Sequence, residues 1–474
     1  MRPTTDVCII GGGPAGSVLG ARLAQFGLRV HLMEQASFPR PHLGESLSPG
    51  VLPLLKSIGA GPAVERAHYP RILRVELHWG AAQRWQDPDG QGLLVDRGHF
   101  DALLLDHARA CGVRALQPAS LDAWERHAAG WRLAVRCEGR RIELDALVLA
   151  DASGRAGALG RRRRRTGPNT LAVHGYWKGD RLPAQPRIEA GANAWFWGVP
   201  LPNGVYNTLV FLDPRDLRAM GGSLRDKFHT LLATSTLLPS ECSAELLGPI
   251  QASDATPYVD ANCVTGHSIK VGDAGMALDP LASSGVQRAI QSALLGAVVV
   301  NTLIHRPRLR DLAQRFYREN LAEASDRHRS WARGYYAQVA STQPTRFWRE
   351  RGDAADLAAV SRAELAPPAP PDTPWELSSS VEIVELPCVL DRFIEARPAV
   401  RHPSLSSPVA FLGDVELAPL LRCVRGSMTS PELLRAWMPR VPPDKGLAIA
   451  HWLMARGLLV PQERRTMAHD RGLT

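Results

Sequence analysis

The chain opens on a β-branched apolar run, Asp6–Ile10 (DVCII), that breaks at once into GGGPAG. Apolar residues then recur at helical spacing through SVLGARLAQFG, stop at Gly27, and give way to a second apolar strand, LRVHLMEQ. Strand, helix and strand within about thirty residues predict a βαβ unit with parallel strands and a right-handed crossover. Farther on, VDRGHFDALLLDHARACG predicts a turn and a helix ending at Gly112, and IELDALVLADASG a strand with Asp151 and Gly154 at its end. Between about 171 and 258 the pattern becomes strand-like: LAVHGYWKG, ANAWFWGVPL and VYNTLVFLD, the last two joined by a Pro202-Asn203-Gly204 turn. SIKVGDAGMALDPLASSGVQRAIQSALLGAVVVNTLI then restores a strand, a glycine loop and a long apolar helix.

Helical periodicity rich in Arg and Glu fills roughly 308–362, and Ala366–Pro374 (APPAPPDTP) reads as a semi-rigid linker. The last module, about 375–462, holds a helix, a second helix capped at Thr429 or Ser430 ahead of Pro431, a third helix and a closing apolar strand. The expected fold is therefore α/β. A discontinuous Rossmann-type dinucleotide-binding domain (1–70, 96–170 and 259–305) carries an inserted antiparallel substrate-domain sheet (71–95 and 171–258). A helical extension (306–365) and a linker (366–374) lead to a small, mainly helical, winged-helix-like C-terminal domain (375–474).

Composition narrows the picture. A chain of 474 residues exceeds what one hydrophobic core accommodates, and 45% hydrophobic with 22% charged residues is ordinary for a globular protein. No uninterrupted apolar run reaches the ~18 residues of a membrane span, and the N-terminus lacks a signal-peptide pattern, so a cytoplasmic protein without stable membrane insertion is expected. The seven cysteines are scattered and never at CxxC spacing, which suggests reduced thiols and neither a disulfide framework nor a metal site. Net charge is +9, concentrated at Arg161–Arg165; without a nucleic-acid motif beside it, this run reads as a solvated loop and no nucleic-acid partner is expected.

Gly11-x-Gly13-x-x-Gly16 sits between a strand and a helix, with Pro14 and Ala15 opening the helix. The first glycine permits the tight turn, the second lets backbone approach a pyrophosphate, and the third allows helix to pack on strand, while the helix N-terminus faces the phosphates. Glu34, 18 residues beyond Gly16 and followed by Gln35, ends the next strand, where a carboxylate can accept ribose hydroxyls.

GDAGMALDP, Gly272–Pro280, resembles a segment of the FAD-dependent aromatic hydroxylases, geranylgeranyl reductases and flavin halogenases. The resemblance covers about 1–350 and implies FAD as cofactor. It assigns Gly272 and Asp273 to the ribityl and pyrophosphate, Asp279 and Pro280 to the edge of the isoalloxazine, and Gly285 and Val286 to its N1 and O2. It likewise implies cofactor roles for Arg97 in VDRGHFD, for Asp151 and Gly154 in ADASG, and for Glu45 and Ser46 in HLGESLSPG. A helix N-terminus at N1 would stabilise the anionic reduced flavin.

Within this group, Ser283-Ser284-Gly285 and Trp195-Phe196-Trp197-Gly198-Val199-Pro200 resemble the halogenase branch. Halogenases carry a lysine about thirty residues past the GES loop that handles the hypohalous acid; Tyr69–Gly80 holds only Arg71 and Arg74. Together with the C-terminal module, this departure resembles flavin monooxygenases that hydroxylate a peptidyl tryptophan during cysteine tryptophylquinone maturation. The implied reaction is hydroxylation of an electron-rich aromatic group through a flavin C4a-hydroperoxide, with O2 and an external reductase or NAD(P)H as partners and an aromatic substrate that a protein or peptide can supply. Alternatives are a halogenase of an aromatic or carrier-bound substrate, a prenyl-type flavin reductase, and a non-enzymatic flavoprotein. Trp195, Trp197 and Ser284 are candidate pocket residues. Trp195 and Trp197 share a strand face, so core packing weighs equally with a pocket role. His174 is a candidate acid or base, though a lone histidine is more often structural.

Overall fold

The structure is a computed structural model and describes residues 4–80, 82–86, 90–353, 355–356 and 373–462. It divides into two compact units, 1–361 and 362–474.

In the first unit, Thr4–Ile10 pairs in parallel with Val30–Met33 on one side and with Arg140–Asp151 on the other. Every residue of Val30–Met33 is buried, as expected of a strand covered on both faces. Arg114–Leu116 and Ser268–Lys270 add parallel strands, and Gly130–Cys137 with Ala119–His127 extends one edge antiparallel. Helices Pro14–Gln25, Arg97–Ala110 and Gly285–His305 cover this sheet.

Residues 171–254 and 75–86 build a second seven-stranded sheet. Leu171–Asp180 lies between Val205–Leu212 and Ser243–Asp254, and Ala194–Pro200 joins Val205–Leu212 to Arg187–Ala190. One pairing departs from the antiparallel expectation: Val75–Trp79 runs parallel to Arg187–Ala190. The chain reaches Val75 from the nucleotide-binding side instead of through a hairpin, and a long excursion of that kind permits parallel pairing. One face of this sheet packs Trp177, Phe196 and Tyr206 against helix Leu224–Leu232, and the other packs Trp79, Trp195 and Phe211 against helix Arg310–Thr342.

Helix Gly285–His305 is long and apolar enough by composition to cross a membrane, although Gln287, Arg288 and Gln291 interrupt its apolar run. Of its apolar window 61% is buried in the first unit, so it serves as a core helix. The arginine run is also more ordered than a solvated loop: Arg163–Arg165 pairs with Tyr258–Asp260, and the Arg163 guanidinium stacks 4.1 Å over the Tyr258 ring. All seven cysteines are free, and burial pushes the Cys8 and Cys263 thiols up to about 12 and about 11.

The second unit centres on Trp437, whose indole N–H donates to the Leu420 carbonyl at 2.9 Å among Leu417, Leu433, Ile449 and Leu453. Helices Leu417–Leu421, Ser430–Trp437 and Pro443–Ala455 fall where the pattern predicts them; Thr429 caps the second through a reciprocal box with Glu432. Strand Leu459–Pro461 pairs with Trp375–Leu377. A long, half-exposed hairpin, Glu382–Leu390 with Phe393–Arg401, joins them where a mainly helical module was expected. The linker expected at 366–374 lies outside the described residues except for Thr373 and Pro374.

Candidate functional site

The first strand ends at Gly11, whose φ of +103° only glycine adopts without strain. A Cβ at Gly16 would stand 1.9 Å from the Gly11 carbonyl oxygen, so helix and strand approach as closely as the motif requires. Gly13 differs. A Cβ there meets only the Arg40 guanidinium, at 3.6 Å, and no side chain caps the helix that begins at Pro14 and Ala15. The first-turn N–H groups thus point into open space, an arrangement that favours an anion. Glu34 lies across this turn: its Oε2 accepts the Gly12 N–H at 2.7 Å and its Oε1 the Ala36 N–H at 2.8 Å, leaving acceptor capacity on each oxygen. Gln35 is exposed just beyond it.

The two glycine motifs, some 260 residues apart in sequence, meet here. A Cβ on Gly272 would lie 2.9 Å from that of Ala15, and Gly272 N–H donates to Ser292 Oγ at 2.8 Å. Asp273 stands deep in the molecule yet keeps 41% of its side chain open, 3.6 Å from Arg155; burial raises its carboxyl and the Arg155 guanidinium opposes that. The chain then turns through Pro280–Ala282 and the left-handed Ser283, with φ of +47°, to start helix Gly285–His305. That N-terminus is uncapped as well. Ser284 Oγ is buried without a partner, and a Cβ on Gly285 would meet nothing within 4 Å.

Other residues assigned to the cofactor lie beneath this surface. Asp151 is fully buried; Ser153 Oγ donates to its Oδ1 at 2.6 Å and Leu159 N–H to its Oδ2 at 2.9 Å, so it shapes the loop around Gly154. Arg97 is 5% exposed, pairs with Asp101 at 2.9 Å and donates to the Leu43 carbonyl, which holds the backbone of the Gly44 loop. Val286 faces Gly44, and Gln287 accepts from Ser48 at 2.6 Å, so the Ser46–Leu47 segment rests on the first turn of the late helix.

The Glu45 carboxylate forms the hub of a network that the motif alone does not reveal. It leaves its own loop and reaches the second sheet, accepting from Tyr176 Oη at 2.8 Å and Asn207 Nδ2 at 3.2 Å, and from Gly44 N–H at 3.0 Å. Burial pushes its carboxyl upward, and burial with the neighbouring carboxylate pushes the Tyr176 phenol far above its usual range, so Tyr176 keeps its proton and donates. Tyr176 and Asn207 sit opposite each other on paired strands. The signal for them was polar residues on a buried strand face, legible only once the sheet's sidedness is known. His174, two residues before Tyr176, is held neutral by burial.

Trp195 is 2% exposed and stacks on Phe211 with centroids 3.8 Å apart, which places it inside the core. Trp197, on the same strand face, is half-buried and packs between that core and the Ile72–Leu94–Val199 cluster. Of the two, Trp197 is the one with surface to offer a ligand. No group of three metal-ligating side chains occurs among the described residues.

Two uncapped helix N-termini, open space at Gly13 and Gly285, and the unpartnered Ser284 hydroxyl suit a dinucleotide with an anionic ring at one end. The family models agree: "FAD binding domain" matches residues 4–170 and "Tryptophan halogenase" matches residues 90–363, more than half of the chain. The chain belongs to the tryptophan halogenase family. FAD is the cofactor of this flavoprotein.

Among curated relatives, this family member is 32% identical over 330 residues to tryptophan 2-halogenase of Chondromyces crocatus, covering 64% of this chain and 62% of that one. It is 29% identical to the 1H-pyrrole-2-carbonyl-[peptidyl-carrier protein] chlorinase of Pseudomonas fluorescens, covering 62% and 74%. The chain thus spans less than two thirds of the length of the first relative. Among solved structures it superposes on the flavin-dependent halogenase CmlS with a TM-score of 0.77 at 21% identity, covering 97% and 96%, a likeness of fold. The peptidyl tryptophan dihydroxylase QhpG, essential for tryptophylquinone cofactor biogenesis, gives a TM-score of 0.73 at 26% identity over 96% of this chain and 100% of that one.

Proposed function

We propose that this flavoprotein is an FAD-dependent monooxygenase that hydroxylates an electron-rich aromatic group, a tryptophan side chain of a partner polypeptide. The observation that carries this reading is the distribution of its five lysines. Lys56 is exposed beside Glu65, and Lys270 is buried against Asp260 at 2.9 Å. Lys227 lies on helix Leu224–Leu232, and Lys445 belongs to the second unit. Lys178 is exposed near the end of the strand that carries Tyr176. None stands at the halogenase position between Tyr69 and Gly80. The end-to-end likeness to QhpG supports the same reading.

In this reading Gly11, Gly13, Gly16 and the Pro14 helix terminus hold the FAD pyrophosphate, Glu34 takes the ribose, and the Ser284–Gly285 terminus faces the ring's anionic edge. Bound and reduced, FAD supplies the activation of O2. The chain contributes orientation and dryness: Glu45, Tyr176 and Asn207 fix the GES loop to the second sheet, and Trp197 with Leu94 and Val199 walls off water. An indole needs little deprotonation to attack an electrophilic oxygen, so neutral His174 suits this site better than a charged acid would.

A second reading, halogenation of an aromatic or carrier-bound substrate, is favoured by the names of the curated relatives. One experiment separates them. The flavoprotein is photoreduced without oxygen, then pulsed with O2, bromide and a tryptophan-containing peptide. A gain of oxygen mass on the peptide is expected; a gain of bromine instead overturns the proposal.

A further inference from the structure

A groove of about 690 Å³ lies wholly within the second unit, between helices Leu417–Leu421 and Ser430–Trp437. Ligand sites span roughly 300–1,000 Å³. Its floor is half-buried Pro419, Cys423, Met428 and Ala436. The packing beneath holds that floor in place. The Trp437 indole joins the two helices through the Leu420 carbonyl, and Met428 exchanges both backbone hydrogen bonds with Trp375 at 2.8 Å. Two sulfurs and a methyl group form an adaptable apolar surface, open to whatever side chain is laid on it.

The rim is cationic. Arg422 and Arg425 follow the first helix and Arg440 the second; all three are exposed, and Arg440 Nη1 reaches across to Cys423 Sγ at 3.7 Å. None of the three has a carboxylate within ion-pair distance among the described residues. By contrast, Arg397 stands between Glu395 and Glu416, Arg401 pairs with Glu382 and Lys445 with Asp414. Glu432 is the one carboxylate lining the groove. Its Oε2 accepts the Thr429 N–H at 2.8 Å and the Thr429 hydroxyl at 2.9 Å, and these bonds hold its carboxyl below the usual range. It stays charged and keeps acceptor capacity on Oε1.

Three free guanidinium forks call for carboxylates or phosphates. Glu432 decides between them. A peptide brings N–H donors that its carboxylate can accept, whereas a nucleic-acid backbone brings none and is repelled. The lining also lacks the aromatic platform on which bases stack. This chain's own undescribed segments do not supply the charge: residues 463–474 hold three arginines against Glu463 and Asp470, and residues 357–372 hold only Glu364 and Asp372, well separated.

We propose that this groove docks an extended acidic segment of a partner protein. Its carboxylates pair with Arg422, Arg425 and Arg440, and one apolar side chain rests on the Cys423–Met428 floor. The inference stands on the second unit alone. It offers the partner polypeptide proposed above a contact outside the cofactor unit, and binding here does not depend on which atom is inserted into the substrate.

The test titrates full-length FAD-loaded protein into a fluorescein-labelled peptide of alternating Asp and Glu around a central Leu, read by anisotropy. Comparison probes are the same peptide with Asn and Gln for the acids, and a thymidine oligonucleotide of equal charge. Saturable binding of the acidic peptide that weakens with added NaCl is expected, with the amide peptide at least roughly tenfold weaker. Arg422→Glu with Arg440→Glu should cost roughly tenfold or more in affinity at unchanged Tm and FAD content. Arg440→Gln, expected to cost about threefold, carries the same test should the double reversal fail to fold. Arg435→Glu makes the same charge change on helix Ser430–Trp437 outside the groove and should leave affinity within about twofold. Equal affinity for the acidic and amide peptides, an equal loss in Arg435→Glu, or tighter binding of the oligonucleotide than of the peptide would each overturn the proposal. Oxygen or bromine gain on a tryptophan peptide is read separately, so failure of either proposal leaves the other standing.

Discussion

The two ends of the proposed cofactor cleft are built on different principles. At the phosphate end, backbone N–H groups and three glycines form a surface from one continuous stretch, Gly11–Gly16, with Glu34 close behind. At the ring end, the surface is assembled from the Gly44 loop, strands at Tyr176 and Asn207, and the Asp279–Gly285 turn, and buried side chains fasten these pieces together. The first end depends on backbone shape and tolerates little change. The second depends on side-chain networks, and a family can vary its chemistry there while keeping its cofactor.

Substitution at the phosphate end should give the largest effects and divide them cleanly. Gly16→Val drives a side chain into the Gly11 carbonyl and is expected to remove more than about 3 kcal/mol of stability, seen as loss of soluble protein. Gly13→Trp enters open space, so the apoprotein should fold with an unchanged Tm while FAD affinity falls roughly 100-fold, about 2.7 kcal/mol, measured by flavin fluorescence titration. Full flavin content in Gly13→Trp would erase the contrast between the two ends.

At the ring end, Tyr176→Phe withdraws a donor from the buried Glu45 carboxylate. A loss of about 1–3 kcal/mol in denaturant unfolding is expected, with FAD still bound and product formation reduced. Glu45→Gln addresses the pH dependence. Burial raises the Glu45 carboxyl above its ordinary 4.5, so the folded state holds that proton more tightly than the unfolded chain does. Its contribution is fully present below about 4.5 and is lost as pH rises through the folded value. The difference in Tm between wild type and Glu45→Gln should therefore shift in favour of the variant on going from pH 5 to pH 8; a constant difference would show that Glu45 carries no raised pKa. The smallest effect belongs to Lys178→Met, expected to change stability by less than about 0.5 kcal/mol and to leave oxygen insertion intact. Loss of a halogenated product in that variant would move the protein to the halogenase reading.

The same contrast explains what the sequence disclosed. Gly11, Gly13, Gly16 and Glu34 are local and periodic, and the strand and helix that position them stand within one short window. Tyr176 and Asn207 became visible only when the fold brought two paired strands and a distant loop to one carboxylate, because no spacing in the chain encodes that meeting. Asp151 and Arg97 illustrate a related limit. Motif position marked them as belonging to the nucleotide region, while burial and hydrogen bonding put them below its surface as supports. The parallel entry of Val75–Trp79 into the second sheet escaped for the same reason, since its partner at Arg187–Ala190 lies a hundred residues away.

Oxygen-activating flavoproteins release some peroxide, and the thiolate is the form of cysteine that peroxide attacks. Cys8 belongs to the strand that ends at Gly11, and the Cys263 carbonyl accepts the N–H of Lys270 at the end of the strand leading to Gly272. With both sulfurs enclosed and holding their protons at physiological pH, neither Cys8 nor Cys263 offers the thiolate that oxidants attack, so the packing beneath both glycine motifs rests on oxidation-resistant sulfur.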